Sequence, residues 1–198
     1  MLLSWIGSHV VRGAGAPSSG SAPAATHRLA LPPTLLGGHY TLADDLSEQA
    51  NSGIANADES NIQDPKGVVA QYTATGKTDT GVLVVSGLYG RISDPALARD
   101  KMLKGGGEAN GVTVVVPPEN FTPAGADTEV SCQILSRTQS GGGSPIVFPV
   151  CVWADDNTSA SVSEVTARSA GQDPFTVDLE KAARTTLKIR DEMRRPLS

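Results

Sequence analysis

The chain has 198 residues, of which 39% are hydrophobic and only 4% aromatic, and 16 basic against 21 acidic side chains give it a formal charge of −5. That length supplies one domain of ordinary size, and the acidic excess leaves no broad basic surface to neutralise a phosphate backbone, which excludes nucleic acid as a partner. With so few aromatic rings the core must be built from Val, Leu, Ile and Ala.

Residues 1–11, M-L-L-S-W-I-G-S-H-V-V, form an uncharged apolar run. A bilayer crossing takes about 20 apolar residues, so the run is too short to span one. It also lacks the basic stretch and small-residue cleavage pattern of a signal peptide. Two readings are open: the outer end of a membrane helix, or a leader with no structural role. Residues 12–28 are dominated by Gly, Ala, Pro and Ser, a composition that cannot bury enough apolar surface to offset its ordering entropy. They read as a disordered linker, the kind of spacer that holds a domain off a membrane. The folded part is then one domain over 29–198.

In 29–36 the consecutive Pro32 and Pro33 block a helix and predict an extended stretch along a sheet edge, ending at Gly37-Gly38. Leu42 and Leu46, spaced i and i+4 among acidic residues, predict a short helix over 41–50, followed by a polar loop over 51–63. The β-branched runs 68–75 and 82–92, separated by T-G-K-T-D-T-G, predict an antiparallel hairpin. Asp94-Pro95 predicts a helix start, with the helix stopping at Gly105-Gly106-Gly107. Strands are predicted at 112–116, limited by Pro117-Pro118, and at 130–137, 146–153 and 159–167. In the last of these the offset of Val162 and Val165 predicts a bulge or register change. From Thr176 as N-cap, the helical spacing of Leu179, Ala182, Ala183, Leu187, Arg190 and Met193 predicts a terminal amphipathic helix reaching Pro196. The interleaved charges over 181–195 read as its solvated face. Local hairpins without a βαβ rhythm make the fold class α+β: a mostly antiparallel sheet covered on one face by two or three helices.

The midpoint between Cys132 and Cys151 falls between Gly141 and Gly142, in the turn-forming S-G-G-G-S run 140–144. Folding the hairpin there sets the two cysteines opposite each other within disulfide reach. The competing reading is two buried thiols. A bridge belongs to an oxidising, extracytoplasmic compartment.

No set of residues carries a recognisable chemistry. Gly76-Lys77-Thr78 ends like a phosphate loop, but position 71 is Gln71 where that loop needs glycine, and the segment joins two strands. His9, His27 and His39 all precede the main body of the domain, and no metal site or nucleophile triad can be built on them. Asp155-Asp156-Asn157-Thr158 lacks calcium-loop spacing and reads as a turn. Trp153, two residues after Cys151, shares its strand face. It is expected in the core, or otherwise in a binding patch with Tyr89, Asp155 and Asp156. No cofactor and no metal is expected.

The segments L-P-P-T-L-L-G-G-H-Y, V-S-G-L-Y-G-R-I-S-D-P, F-T-P-A-G, V-C-V-W-A-D-D-N-T and I-R-D-E-M-R together cover 29–195 in outline. In that pattern the chain resembles an uncharacterised group of membrane-anchored proteins from high-GC Gram-positive bacteria of the Streptomyces type. The resemblance implies a transmembrane helix before the linker and an extracytoplasmic C-terminal domain carrying the two cysteines. It implies no activity. The function expected from all this is a non-enzymatic binding, sensing or accessory domain at the cell envelope, taking an envelope protein or a small ligand. The alternatives are a structural spacer, or an envelope hydrolase using Asp155, Asp156 and Glu164 with Arg91.

Overall fold

The computed structural model describes residues 24–54, 61–76, 80–139, 141 and 143–197. The apolar segment 1–11, linker residues 12–23 and the Lys77-Thr78 pair lie outside them. In chain order the described residues form β1 (His27–Leu29), β2 (Thr34–Leu35), β3 (Tyr40–Asp45), α1 (Ser47–Ile54), β4 (Ile62–Ala74) and β5 (Gly81–Ile92). There follow α2 (Pro95–Gly107), β6 (Val112–Phe121), β7 (Val130–Arg137), β8 (Ile146–Ala154), β9 (Thr158–Thr166), α3 (Leu179–Met193) and β10 (Arg194–Pro196). Eight strands make one antiparallel sheet in the order β2-β3-β4-β5-β9-β8-β7-β6, and β1 pairs with β10 in a separate ribbon. The fold class is α+β, as the local hairpins imply.

The helices do not share one face, contrary to the expectation. On β7 and β8, Cys132, Ile134, Cys151 and Trp153 join the core beneath α3, with Leu179, Ala183, Ile189 and Met193. Their neighbours of opposite parity, Leu135, Val150 and Val152, pack with Leu103 of α2. Successive strand residues point to opposite faces, so α2 and α3 sandwich the sheet. The signal is present in V-F-P-V-C-V-W-A, whose unbroken apolar run belongs to a strand buried on both sides rather than on one. The β1–β10 ribbon shares the α3 face. Leu29 reaches over Gly87, where an added Cβ would come within 2.7 Å of the Leu29 and Ala160 side chains.

Prolines stand where the ladder can spare them. Pro149 pairs with Ile134 of β7 but lies beyond the stretch of β8, Val150–Ala154, that pairs with β9. Its missing N–H therefore breaks no bond. Pro117 and Pro118 do not end β6, as expected from sequence, because β6 is the last strand of the sheet. It runs on to Phe121 through two register irregularities.

Three further stretches differ from the sequence reading. Residues 41–45 are strand rather than helix: Leu42 pairs with Tyr72 in the sheet, and α1 begins only at Ser47, whose N–H is held by the Asp45 carboxylate at 2.9 Å. The bulge near Val162 and Val165 is absent, since β9 keeps unbroken register with β5 from Thr158 to Thr166. There the strand runs out of the core and alternation no longer reports its face. The α3 cap is Asp178, which accepts from the Lys181 N–H, while Thr176 closes a short 3-10 turn before it. α3 stops at Met193, and Pro196 lies in β10. The Asp94 cap with Pro95 behind it, and the strand at 130–137, stand as predicted.

Cys132 and Cys151 face each other in register and are bridged, with Cα atoms 4.0 Å apart. The close approach marks a non-hydrogen-bonded pair. Both are buried in the α3-side core. The bridge closes a loop of 19 residues, which restricts the unfolded chain by roughly 3 kcal/mol. Replacing both cysteines by Ala is expected to lower stability by about that amount in urea denaturation, with the native fold retained. An unchanged midpoint would contradict it.

Candidate functional site

The residues singled out from sequence gather at one end of β8 and β9, and what they build there is a structural knot. Trp153 is fully buried and donates its indole N–H to Thr158 Oγ1 at 3.3 Å. It cannot contribute to an exposed patch, so the patch of Tyr89, Trp153, Asp155 and Asp156 is not formed. Tyr89 is half-buried against the core and only Asp156 is exposed. Asp155 folds the turn by accepting from the N–H groups of Asn157 (3.0 Å) and Thr158 (2.9 Å), as an Asx turn does.

Asp155 also receives two bonds from Arg190 of α3, at 3.1 Å from Nε and 2.9 Å from Nη2. Arg190 is almost wholly buried and reaches Asp127 as well, at 3.0 Å. Arg194 Nε lies 3.3 Å from the same Asp155 oxygen but at an angle that makes no hydrogen bond, so it adds charge without a directed contact. Burial alone would push the Asp155 carboxyl up. The two backbone donors and the Arg190 guanidinium outweigh it and hold the group below its usual value.

The carboxylates of the hydrolase reading do not converge. Glu164 lies toward the other end of β9, roughly 20 Å from the turn at the usual rise per residue. Arg91 is engaged with Asp64 on the surface at 3.1 Å. Among the described residues no group of three His, Cys, Asp or Glu side chains is placed to hold a metal ion.

At that other end is a cleft of about 520 Å³, within the range of small-molecule sites. Its walls come from the turn before β3, the facing ends of β4, β5 and β9, and the first turns of α3. Glu164 of β9 accepts a hydrogen bond from the buried Tyr40 hydroxyl of β3. Gly81 makes room for that contact, since a Cβ there would stand 3.1 Å from the Tyr40 oxygen. Lys181 and Thr185, one turn apart on α3, supply the opposite wall, and His39 and Thr166 complete the polar lining. Leu36 borders the cleft in a left-handed conformation at φ 54°. Its N–H is fixed by Glu192 of α3 at 2.9 Å.

Sequence reasoning missed most of this site. Tyr40 stands just before the helix read over 41–50 and is given no role there, and His39 and Lys181 read as surface residues. The one signal available was the i, i+4 spacing of Lys181 and Thr185, which sets both on one helix face. Arg190 carried a clearer one, a cation on the apolar stripe of α3, where a charge survives only when paired.

No protein-family model, curated protein or solved structure matches the chain.

The Asp155 carboxyl sits lower in the folded chain than in the unfolded one, so its contribution is present above about pH 4 and is lost as pH falls through the folded-state value. Arg190→Met strands that carboxylate and is expected to cost about 3–5 kcal/mol at pH 7. The loss should shrink as the pH falls below about 4 toward the lowered folded-state value, because protonation of Asp155 removes the charge that the guanidinium satisfies. Urea denaturation at the two pH values checks this, and equal losses at both would contradict it.

Proposed function

We propose that the chain is a non-enzymatic, extracytoplasmic binding domain of the bacterial cell envelope, tethered through its N-terminal segment, with the Tyr40–Glu164–Lys181 cleft as its ligand site. The observation that carries this reading is the position of the cleft relative to the chain ends. Thr26 donates its N–H to Asn157 Oδ1 at 3.0 Å and accepts from the Leu197 N–H at 2.8 Å. Both ends of the fold therefore lie beside Asn157, which also binds the Gly90 N–H through its carbonyl at 2.9 Å. The cleft sits at the Gly81 and Thr166 end of the same strands, roughly 25 Å away along β5. A domain held by its N-terminal side would present such a cleft outward.

The buried disulfide supports an oxidising compartment, and the resemblance to anchored envelope proteins points the same way. No helix among the described residues is long and apolar enough to cross a membrane. A spacer domain has no use for a polar cleft, which weighs against that alternative. The separation of Asp155 and Asp156 from Glu164 and Arg91 weighs against the hydrolase.

Two measurements test the proposal together. Lysis of native cells in denaturant with an alkylating agent and no reductant, followed by mass spectrometry, is expected to leave Cys132 and Cys151 unlabelled. A screen of small polar fragments by amide chemical shifts is expected to cluster its responses at Gly81, Thr166 and Thr185. Labelled thiols would overturn the compartment, and responses spread away from the cleft would overturn the site.

A further inference from the structure

Two opposite charges face this cleft, and neither has an ion-pair partner among the described residues. The Glu164 carboxylate is half-buried, and the one bond recorded for it comes from a neutral donor, the Tyr40 hydroxyl. Among the described residues no cation pairs with it, and no anion pairs with Lys181. Of the other half-buried carboxylates among the described residues, Glu192 likewise takes a neutral donor, the Leu36 N–H, whereas two are neutralised. Glu129 and Asp155 each take a guanidinium, from Arg99 and Arg190. On α3 Arg184 pairs with Glu180 one turn away, whereas the exposed Lys181 and Lys188 have no anionic partner among the described residues.

A carboxylate accepts several hydrogen bonds, so Glu164 keeps free capacity toward the cleft. The charges decide which ligands fit. A phosphate or other polyanion attracted by Lys181 would be repelled by Glu164, and a polyamine attracted by Glu164 would be repelled by Lys181. Opposing such groups in one site is how a protein rejects single-signed ligands. The hydroxyls of Thr166 and Thr185 and the small apolar surface of Leu36 and Ala74 suit a compact polar molecule.

We infer that the cleft takes a ligand bearing both an ammonium and a carboxylate group, either a free amino acid or a short peptide with unblocked ends. Glu164 receives the ammonium and Lys181 the carboxylate. This rests on the reading of the cleft as a ligand site.

The test uses the full chain, followed by amide chemical shifts, with four probes: alanine, trialanine with free ends, the same peptide acetylated and amidated, and an uncharged disaccharide. A free-ended probe is expected to shift Gly81, Thr166, Lys181 and Thr185 and to bind at least about tenfold more tightly than the blocked peptide, the worth of one charge-assisted bond. Alanine binding as well as trialanine assigns the amino acid, and preference for trialanine assigns the peptide. Glu164→Gln retains an acceptor for Tyr40, so its urea midpoint should not move. It and Lys181→Gln should each remove most of the advantage of free ends.

Equal binding of free and blocked peptides would overturn the inference. So would binding of the disaccharide alone, which would leave the cleft reading standing. Cleft amides that respond to no probe would sink both.

Discussion

The Arg190–Asp155 pair is the contact on which the arrangement of this domain depends. A single guanidinium, sunk at the end of α3, reaches down to the turn that closes β8 onto β9. It converts a sequence-local Asx turn into the anchor for an element that arrives thirty-odd positions later, as the separation of 35 residues shows. Taking the two groups out of water is costly, and the bonds from Asn157, Thr158 and both Arg190 nitrogens are what offset it. The ribbon of β1 and β10 follows directly. β10 leaves α3 immediately after Met193, and Ala30 donates its N–H to the Met193 carbonyl at 2.9 Å. Fixing the end of α3 thus fixes where the chain enters and leaves the sheet.

At the other end of the helix the same rod forms a wall of the cleft. Lys181 and Thr185 stand opposite Glu164 because α3 is pinned below and packed along its length by Leu179, Ala183, Ile189 and Met193. One helix thereby performs two jobs with different chemistry: ionic anchoring through the buried Arg190 near its end, and the polar Lys181 and Thr185 facing the cleft from its first turns. The disulfide lies between them, under the middle of α3. It holds β7 to β8 where both strands are buried on both faces and where a light, aromatic-poor core has least to spare.

Much of this was legible in the sequence wherever a local rule carried the information. Asp94-Pro95, the T-G-K-T-D-T-G break between β-branched runs, and the symmetric placing of Cys132 and Cys151 about a glycine-rich turn each report short-range geometry. The failures occurred where tertiary context decided. Leu42 and Leu46 have helical spacing, yet β4 offers Leu42 a ladder partner in Tyr72, and the strand wins. The prolines of β6 read as a stop because sequence alone does not say which strand will be the outermost. The one-faced arrangement of helices is inferred from local hairpins without a βαβ rhythm, which do not report whether a strand is buried on one face or both; the continuous run in β8 does. The cleft was the least legible feature of all. Its walls come from β3, β5, β9 and α3, and the Tyr40–Glu164 pair spans 124 positions.

The claim that most needs testing is that the Asp155 anchor holds α3 and the terminal ribbon as one unit. Native-state hydrogen exchange on Asp155→Asn at pH 7, compared with the unaltered chain, measures it directly. Protection should fall together in the last turns of α3, in β10 and in β1, while β4 and β5 keep theirs, because local opening follows cooperative units. Undiminished protection at Ile189 and Met193, or an even loss across the whole sheet, would show that the helix is held by its apolar face alone and that the anchor is incidental.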